Sequence, residues 1–382
     1  MKSLEAQPET RAPLFSAPRA ENKGPQPLAP ARWDWREVRS VLVVRLRSIG
    51  DTVLATPSLR ALRRFLPEAR LDILLEDWVA PLLEGSRDVD RIIRVARGSA
   101  AARLRVAREL RAARYDVAFN LHGGSTAALL ARASGARRRV GYRSYAYASL
   151  HNHAAPPSSE LWGRAETHSA EQQLALLGWT GVPVSDRPAT HLPQAPEAAS
   201  SVARRLDAAG LDDGQAFALV HPAAAFESKT WAASNFARVV EHLSSRGLRA
   251  VVIAGPGEEG VVGAVRAETA APLVTFTDLS LPEVTALSAR ARLFVGNDSG
   301  LAHIAAAVST PQVVVFGSSN VAHWQPWTES PAEVVREEMP CAPCPGYTCA
   351  EFDAPECIRR VPVERVTDAI ERVISKSLES GV

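Results

Sequence analysis

One turn of the chain has the composition of a phosphate-binding loop. Gly296, Asp298, Ser299 and Gly300 stand in the sequence GNDSG, which joins an apolar run to a helix pattern of small residues. Small residues let the backbone N–H groups at the start of a helix surround an anion, and the helix dipole favours that charge. His303 lies one turn further on, where it would face the same anion or simply pack beneath the loop.

A second candidate for anion binding is Lys229, the only lysine between Lys23 and Lys376. It lies in a loop that follows the apolar run 217–222. A lysine side chain is a flexible point charge, which suits the neutralisation of a diphosphate. The alternative is an ordinary solvated lysine in a surface loop.

The third candidate is the turn that holds Ser48, Gly50 and Asp51 after the first apolar run at 41–46. Ligands of α/β proteins bind in the crevice at the carboxyl ends of the strands, and Asp51 would face that crevice. Gly50 would let a ligand or another segment approach the backbone closely. The alternative role for Asp51 is to cap the helix that follows. A capping carboxylate is partly occupied by backbone donors, so the two roles are compatible only in part.

A fourth turn matches the dinucleotide fingerprint G-x-G-x-x-G. The sequence GPGEEG at 255–260 follows an apolar run and opens a helix pattern, and Asp278 stands near the expected acidic position. That fingerprint belongs to the first strand of a nucleotide-binding domain, whereas this copy follows the second strand of its half. The position therefore argues against a nicotinamide site.

The elements that must position these turns repeat one pattern twice. Short apolar runs alternate with helical patterns in residues 38–182, and the alternation restarts after a proline-rich linker at 183–198 and continues through 199–361. Such alternation predicts parallel sheets covered by helices on both faces. We therefore predict an α/β protein of two doubly wound, Rossmann-like domains, with a cleft between the carboxyl ends of their sheets.

The two ends of the chain differ from this pattern. Residues 1–37 hold six prolines and no apolar period, which predicts a disordered leader. Residues 362–382 read as an amphipathic helix that could pack on either domain. No segment approaches the ~20 consecutive apolar residues that a membrane helix needs, so we expect a soluble catalytic body.

Charge divides unequally between the halves. Residues 38–182 contain 22 arginines, no lysine and 13 acidic residues, a net charge of +9, whereas residues 183–382 carry a net charge of −8. A basic half suits an anionic partner, such as a phosphorylated glycolipid, a nucleic acid or a membrane surface, through an attraction that salt weakens. The alternative is an arginine-rich composition with solvated helix faces.

All four cysteines lie in one loop, 341–357, so no disulfide can join distant parts of a domain core. A reducing compartment fits this distribution. Four thiolates could hold a structural zinc or an iron–sulfur cluster, and two local disulfides are a further alternative. The spacing departs from the paired C-x2-C pattern of common zinc sites; the residues are Cys341, Cys344, Cys349 and Cys357.

Six segments in the same order resemble glycosyltransferase family nine, the ADP-heptose:lipopolysaccharide heptosyltransferases, over most of residues 40–375. They are RxxSIGDTVLATPSL, DVAFNLHG, HPAAAFESKTW, GPGE, GNDSGLAHIAAA and TPQVVVFGSS. The resemblance implies the GT-B fold, with the acceptor in the N-terminal domain and the nucleotide sugar in the C-terminal domain. It implies transfer of a heptose from ADP-heptose to the lipopolysaccharide inner core, with inversion and without a required cofactor or catalytic metal.

The matched motifs also imply roles for single residues. Asp51 corresponds to the general base that removes the acceptor proton, with Ser48 and Gly50 beside the acceptor. Lys229 would lie near the donor diphosphate, and Glu258 could accept hydrogen bonds from ribose hydroxyls. The full set of implied donor contacts is Lys229, Glu258, Asp298, Ser299, Gly300 and His303.

The acceptor side is expected to use the arginines of the first helix. Arg60 is the best placed to meet acceptor carboxylate or phosphate groups, and Arg63 and Arg64 follow it. That helix face could instead be solvated or rest on anionic lipid headgroups. The resemblance implies a cytoplasmic enzyme, peripheral to the inner membrane, with no nucleic-acid partner.

Three other hypotheses compete with heptosyl transfer. They are a transferase of the same fold that uses another nucleotide sugar, a related sugar-nucleotide epimerase, and a binding protein that has lost catalysis. An intact Asp51 argues against the last, because a pure binder needs no base beside the acceptor.

Overall fold

Residues 24–212, 214–344 and 348–380 are described by the computed structural model of the chain. These residues form twelve strands and fourteen α-helices. The strands are β1 (Ser40–Val44), β2 (Arg70–Glu76), β3 (Arg91–Val95), β4 (Val117–Asn120), β5 (Arg138–Tyr142), β6 (His153–Ala155), β7 (Phe217–His221), β8 (Arg249–Ile253), β9 (Leu273–Phe276), β10 (Leu293–Asn297), β11 (Gln312–Phe316) and β12 (Ala332–Arg336). The helices are α1 (Ile49–Val53), α2 (Thr56–Phe65), α3 (Ala100–Ala113), α4 (Ser125–Ala133), α5 (Ser158–Trp162), α6 (Ser169–Gly178), α7 (Pro196–Ala208), α8 (Ala233–Ser245), α9 (Glu259–Ala267), α10 (Leu281–Arg290), α11 (Gly300–Ala307), α12 (Val321–Trp324), α13 (Glu356–Arg359) and α14 (Val363–Ser380).

The strands make two six-stranded sheets whose neighbouring strands are all parallel. The order is β3-β2-β1-β4-β5-β6 in the first sheet and β12-β11-β10-β7-β8-β9 in the second. In both sheets the first strand in sequence, β1 or β7, lies near the middle, and the chain winds outward from it in both directions. This confirms the prediction of two doubly wound α/β domains.

The central strands are apolar on both faces because helices cover both faces. All five residues of β1 are buried. Val41 and Val43 pack into one apolar cluster, while Leu42 and Val44 pack into another on the opposite face of the sheet. In the second sheet, β10 and β11 are buried along their whole length in the same way.

Some elements differ from the sequence prediction for identifiable reasons. The helical pattern that follows the first apolar run forms two helices, because Pro57 occupies the first turn of α2 and starts a new helix after α1 has ended. The buried helix α6 carried no visible amphipathic pattern, since nine of its ten residues are buried. The edge strand β6 has only three residues, too few for a period to appear.

The prediction of a disordered leader is wrong for residues 24–37. Leu28 and Ala29 donate backbone hydrogen bonds to the carbonyl of Gly178, both at 3.1 Å. Trp35 is buried, and its indole N–H donates to the carbonyl of Thr180 at 2.9 Å. Apolar residues between the prolines therefore hold this segment on the end of α6. Residues 1–23 lie outside the described residues.

The predicted linker at 183–198 packs between the two domains. The Thr190 hydroxyl donates to the carbonyl of Trp327 at 2.7 Å, and the Trp327 indole N–H donates to the carbonyl of Pro188 at 2.8 Å. The backbone N–H of His191 donates to the Thr56 hydroxyl of the first domain at 3.1 Å. The linker thus ties both domains through specific hydrogen bonds, and α7 begins inside its predicted end, at Pro196.

The C-terminal helix α14 packs on the second domain, against β11, β12 and α8. His242 and Glu371 join it to α8 at 2.8 Å, and Arg372 joins it to Glu333 of β12 at 2.8 Å. The last two residues of the predicted helix, 381–382, lie outside the described residues. In the parts of the chain with described positions, no helix has both the length and the apolar character needed to cross a bilayer.

Candidate active site

A cavity of about 1140 Å³ lies between the carboxyl edges of the two sheets. The turn after β1 forms its wall on the first domain, and the turns after β7, β8 and β10 form its wall on the second. The predicted residues that line it are Ser48, Gly50, Asp51, Lys229, Glu258, Asp298, Ser299, Gly300 and His303. Sequence reasoning therefore identified turns from both domains that meet in one cavity.

The two domains meet through the first turns of α1 and α11. A methyl group on Gly50 would lie 2.6 Å from Cδ2 of His303, and one on Gly300 would lie 2.7 Å from Cβ of Ile49. Both distances are shorter than real carbon contacts, so each glycine allows an approach that a side chain would block. Gly50 therefore allows the close contact between the two domains, and this role is separate from any contact with a ligand.

Asp51 is held in place from two sides. Its carboxylate pairs with the guanidinium of Arg45, which is buried at the end of β1 and also donates to the carbonyl of Leu121 at 2.6 Å. The other carboxylate oxygen accepts long hydrogen bonds of 3.3 Å from the backbone N–H and the hydroxyl of Ser48. The helix cap is Ser48, and Asp51 stands three residues after it. Asp51 therefore takes part in capping while it faces the cavity.

Lys229 and Asp298 form an ion pair of 2.8 Å across the second domain's side of the cavity. Ser319, from the loop after β11, donates its hydroxyl to the same oxygen of Asp298. Lys229 is partly exposed, whereas Asp298 is buried. An anion that entered the cavity would thus meet an ammonium group already fixed at its wall.

The start of α11 opens into the cavity. The first N–H groups of a helix have no partner inside the helix, and their dipoles favour an anion. Ser299, the residue that precedes the helix, bonds through its hydroxyl to Nδ1 of the buried His221 at 3.1 Å. This contact fixes the entrance of α11 against β7.

Glu258 lies on the neighbouring turn after β8. Its carboxylate accepts from the backbone N–H of Gly255 at 2.9 Å and lies 3.9 Å from Nε2 of His221. The His221 imidazole and this N–H lower the pKa of the Glu258 carboxyl. The carboxyl is half exposed, so it can also accept hydrogen bonds from a ligand. The fingerprint-like sequence 255–260 therefore presents a carboxylate to the cavity.

His303 packs beneath Gly50 at the domain contact. Burial lowers the pKa of His303 below its ordinary value, which favours the neutral imidazole. Its Nδ1 has no hydrogen-bond partner within the described part of the chain. Of the two roles considered for His303, packing under the loop is present in this structure, and the residue also lines the cavity.

The arginines of α2 are not brought to this cavity. Arg60 lies 3.7 Å from Asp88, Arg63 pairs with Asp90 at 2.6 Å, and Arg64 pairs with Asp186 at 2.6 Å. Each guanidinium thus serves a contact inside the first domain or with the linker. Their contact with an acceptor stays a prediction, and the structure offers no support for it.

Other arginines surround a second cavity, of about 320 Å³, at the carboxyl edge of the first sheet. Arg47, Arg97 and Arg103 line it, and within the described residues none of them has an ion-pair partner. Glu76 lines it as well and accepts from the indole N–H of Trp78 at 2.8 Å. Because Trp78 lines the large cavity, the two cavities adjoin.

His122 also lines the smaller cavity, at the end of β4. Burial and the nearby guanidinium of Arg45 lower the pKa of His122 to about 4. The imidazole is therefore neutral near pH 7. The positive charge of this cavity comes from its arginines.

The cysteine loop packs against the large cavity. The backbone N–H of Cys344 donates to the carbonyl of Ser318 at 2.9 Å, and Cys344 lines the cavity. All four thiols are free. Within 24–212, 214–344 and 348–380, no three His, Cys, Asp or Glu side chains are arranged as metal ligands. A zinc or iron–sulfur site at these cysteines stays a prediction.

Sequence reasoning missed three residues that shape the site. Arg45 and His221 stood inside matched segments but received no role, and Ser319 ends the last matched segment. Arg45 carried a usable signal, since an arginine at the end of an apolar strand needs a buried partner. The hydrogen bonds of His221 and Ser319 join residues more than twenty positions apart and had no signal in the sequence.

Comparison with known proteins agrees with this geometry. The sequence model of glycosyltransferase family 9 (heptosyltransferase) matches residues 103–354. The chain is 29% identical over 303 residues to lipopolysaccharide heptosyltransferase 3 of Escherichia coli, which covers 75% of this chain and 85% of that protein.

Two solved structures share the whole fold. The glycosyl transferase family 9 protein of Veillonella parvula DSM 2008 has a TM-score of 0.78 at 22% identity and covers 89% of this chain and 98% of its own. The E. coli ADP-heptose lipopolysaccharide heptosyltransferase II has a TM-score of 0.73 at 21% identity and covers 90% of this chain and 100% of its own.

Two Rossmann-like domains that face each other across such a cavity form the GT-B fold, as the sequence predicted. The family match spans well over half of the chain, and the chain belongs to glycosyltransferase family 9 (heptosyltransferase).

Proposed function

We propose that the protein transfers a heptose from ADP-heptose to the inner core of a lipopolysaccharide. The observation that carries this proposal is one cavity with walls from both domains. It is lined by Asp51 of the first domain and by Lys229 and the start of α11 of the second. The names of the relatives supply the donor and the acceptor: they are heptosyltransferases that act on lipopolysaccharide, and one is named for ADP-heptose.

The donor would occupy the second domain's side of the cavity. Its diphosphate would lie between Lys229 and the first N–H groups of α11, where an anion meets both an ammonium group and a helix dipole. Glu258 would accept hydrogen bonds from the ribose hydroxyls. Asp298 already pairs with Lys229, so the diphosphate would either share Lys229 with that carboxylate or displace the carboxylate from it.

The proposed reaction is a single displacement. Asp51 takes the proton of the acceptor hydroxyl while the hydroxyl oxygen bonds to the anomeric carbon of the heptose. The bond from that carbon to the diphosphate oxygen breaks, and ADP leaves with the electron pair. Attack from the side opposite the leaving group inverts the anomeric centre, and the step uses no metal. Arg45 would hold the Asp51 carboxylate in position throughout.

Charge stabilisation would come mainly from the second domain. Negative charge grows on the departing diphosphate, and Lys229 and the start of α11 would stabilise this charge more strongly in the transition state than in the ground state. Preorganisation supports this role, because the ion pair with Asp298 fixes the Lys229 ammonium group at the cavity wall.

The acceptor would enter through the smaller cavity. Arg47, Arg97 and Arg103 provide unpaired guanidinium groups beside the Asp51 turn, and guanidinium groups suit the carboxylates and phosphates of an inner-core glycolipid. This differs from the sequence expectation, which gave the role to the paired arginines of α2. We also propose a cytoplasmic location, peripheral to the inner membrane, because the acceptor is a lipid.

Calorimetry with a panel of nucleotide sugars tests the donor. ADP-heptose is expected to bind more tightly than ADP-glucose, UDP-glucose or GDP-mannose, and a deacylated inner-core oligosaccharide is expected to accept the heptose. Tighter binding of a UDP- or GDP-sugar would contradict the proposed donor. Tight binding of ADP-heptose with no transfer to any inner-core acceptor would instead indicate a binding protein.

A further inference from the structure

The positive charge of the first domain is concentrated in one segment. Residues 96–140 hold ten arginines and two acidic residues, a net charge of +8, against +9 for the whole of 38–182. This segment runs from the loop before α3 into β5, and its two helices, α3 and α4, hold five of the ten arginines and a net charge of +4.

The helices α3 and α4 pack side by side on the same face of the first sheet. Their buried residues, among them Val106 and Leu130, enter the core cluster beneath. Their outward surface is defined by Leu104, Arg105, Arg108 and Arg111 of α3 together with Leu129 and Arg132 of α4, all exposed. We call these six residues the α3–α4 face.

The arginines of this face have no acidic partners. For Arg105, Arg108, Arg111 and Arg132 no ion pair exists with any residue whose position is described. By contrast, all three arginines of α2 have an acidic partner within 4 Å. Unpaired guanidinium groups on one surface repel one another unless an anionic partner covers them, so the face is suited to such a partner.

Large apolar side chains stand among these arginines. Leu104 is 53% exposed and Leu129 is 56% exposed. Tyr147, 59% exposed, directly precedes a short helical turn that packs against α4. Single exposed leucines are ordinary in proteins. Here three of the six large apolar side chains exposed in the described residues lie on or beside one basic face.

The same two helices lead to the smaller cavity. Arg103, in the first turn of α3, and Gly124 and Ser125, at the start of α4, line it together with Arg97. A molecule anchored in a surface that covered the α3–α4 face would therefore have its polar part next to the cavity that adjoins Asp51.

We propose that the α3–α4 face docks on an anionic lipid bilayer. The arginines bind lipid phosphates, for which guanidinium groups have matching geometry, and Leu104 and Leu129 enter the boundary between headgroups and acyl chains. The orientation with respect to the acceptor rests on the proposed function. The docking itself does not, because it requires neither donor nor acceptor.

Vesicle flotation at low salt tests the docking directly. The whole chain is expected to float with vesicles of phosphatidylcholine in which about one third of the lipid is phosphatidylglycerol, and not with pure phosphatidylcholine. Each arginine near an anionic surface increases partitioning onto the membrane about fivefold. The double variant Arg105→Gln/Arg108→Gln should therefore partition about 25-fold more weakly than the parent. Added salt should also weaken the binding of the parent protein to anionic vesicles.

Matched controls separate this face from general charge and apolarity. Arg204 and Arg266 are exposed on the second domain, and Arg204→Gln with Arg266→Gln removes the same charge. Leu378 of α14 is 66% exposed, so Leu378→Ser is the one-leucine control for Leu104→Ser and Leu129→Ser, which are made singly and as a pair. Both controls should float like the parent, while the leucine pair on the α3–α4 face should weaken binding. Thermal unfolding and ADP affinity should be unchanged in all variants.

Three results would overturn the proposal. The first is a parent protein that does not float with anionic vesicles, and the second is equal binding by the face variants and their controls. The third is tighter retention of a short RNA than of anionic vesicles, with that retention lost in the arginine variant, since the face would then bind nucleic acid. Failure of heptosyl transfer with intact flotation would contradict the proposed function and leave the docking in place.

Discussion

At the scale of single residues, the cavity is lined by charges that are already paired. Asp51 has Arg45 as its partner, and Lys229 has Asp298. Such pairs fix the direction of each charged group before a ligand arrives, which reduces the ordering needed in the complex. In the proposed function the two pairs have separate tasks, with the carboxylate on the acceptor side and the ammonium group on the donor side.

Replacement of Lys229 tests the donor side. A hydrogen bond to a charged group contributes roughly 1.5–3 kcal/mol, so Lys229→Ala should weaken ADP binding roughly 10–100-fold. Lys376→Ala, which removes an exposed lysine from α14, is the control and should leave ADP affinity unchanged. Calorimetry with ADP measures both. If Lys229→Ala binds ADP as tightly as the parent, the diphosphate is not beside Lys229.

At the scale of elements, the contact between α1 and α11 sets the spacing of the two domains. Gly50 lies against His303 and Gly300 against Ile49, so each helix presents a glycine to a side chain of the other. The groups that would do the chemistry lie at the starts of the same two helices. A change in this contact should therefore affect both stability and turnover.

Gly50→Ala adds one methyl group at this contact. The new carbon would lie 2.6 Å from the His303 ring, and overpacking of this kind typically costs about 1–3 kcal/mol. Gly263→Ala in α9 is the matched control, since nothing lies within 4 Å of its new methyl group. It should stabilise the protein by about 0.5–1 kcal/mol through helix propensity. Urea unfolding measures both, and equal effects of the two substitutions would contradict the close contact.

A second contact between elements joins the start of α6 to the second domain. Nδ1 of His168 accepts from the backbone N–H of Ala170 at 3.1 Å, and Nε2 donates to the carbonyl of Gln325 at 2.8 Å. Only the neutral imidazole can accept and donate in this way. Burial lowers the pKa of His168 to about 3, and the nearby imidazoles of His303 and His323 act in the same direction.

This contact predicts a loss of stability in mild acid. A histidine in the unfolded chain takes up a proton near pH 6.5, whereas folded His168 remains neutral down to about pH 3. Stability therefore falls as pH decreases through this window, by at most about 1.4 kcal/mol per pH unit for one such histidine. Urea unfolding at pH 6.5 and pH 5 should show a smaller decrease for His168→Gln than for the parent. Identical decreases would contradict the role of His168.

The elements also show what the sequence could predict. The turns at Asp51, Lys229 and Asp298 were predictable because the ends of parallel strands meet at one edge of a sheet, wherever they lie in the chain. The partners of the α2 arginines were not, because Arg63 and Arg64 bond to acids 27 and 122 positions away. Pairs so far apart in the sequence depend on how the elements pack, and the local composition does not encode this packing.

At the scale of the whole molecule, the two domains differ in charge as well as in role. The first carries the arginines of the smaller cavity and of the α3–α4 face, and the second carries Lys229 and the start of α11, where we propose that the donor diphosphate binds. An acceptor anchored in a membrane and a donor from solution would approach the large cavity from different sides. Their meeting point is the Asp51 turn, where the central claim can be tested.

The most direct test of the account is turnover by Asp51→Asn, measured together with donor affinity. Asparagine retains an oxygen that can accept from the Ser48 N–H or from the Arg45 guanidinium, and Arg45 keeps its hydrogen bond to the Leu121 carbonyl, so the fold should persist. General-base catalysis typically contributes ~10²–10⁴-fold, and we expect a loss of heptosyl transfer of that size with ADP-heptose affinity nearly unchanged. Near-normal turnover by the variant would contradict Asp51 as the base and leave it only a structural role.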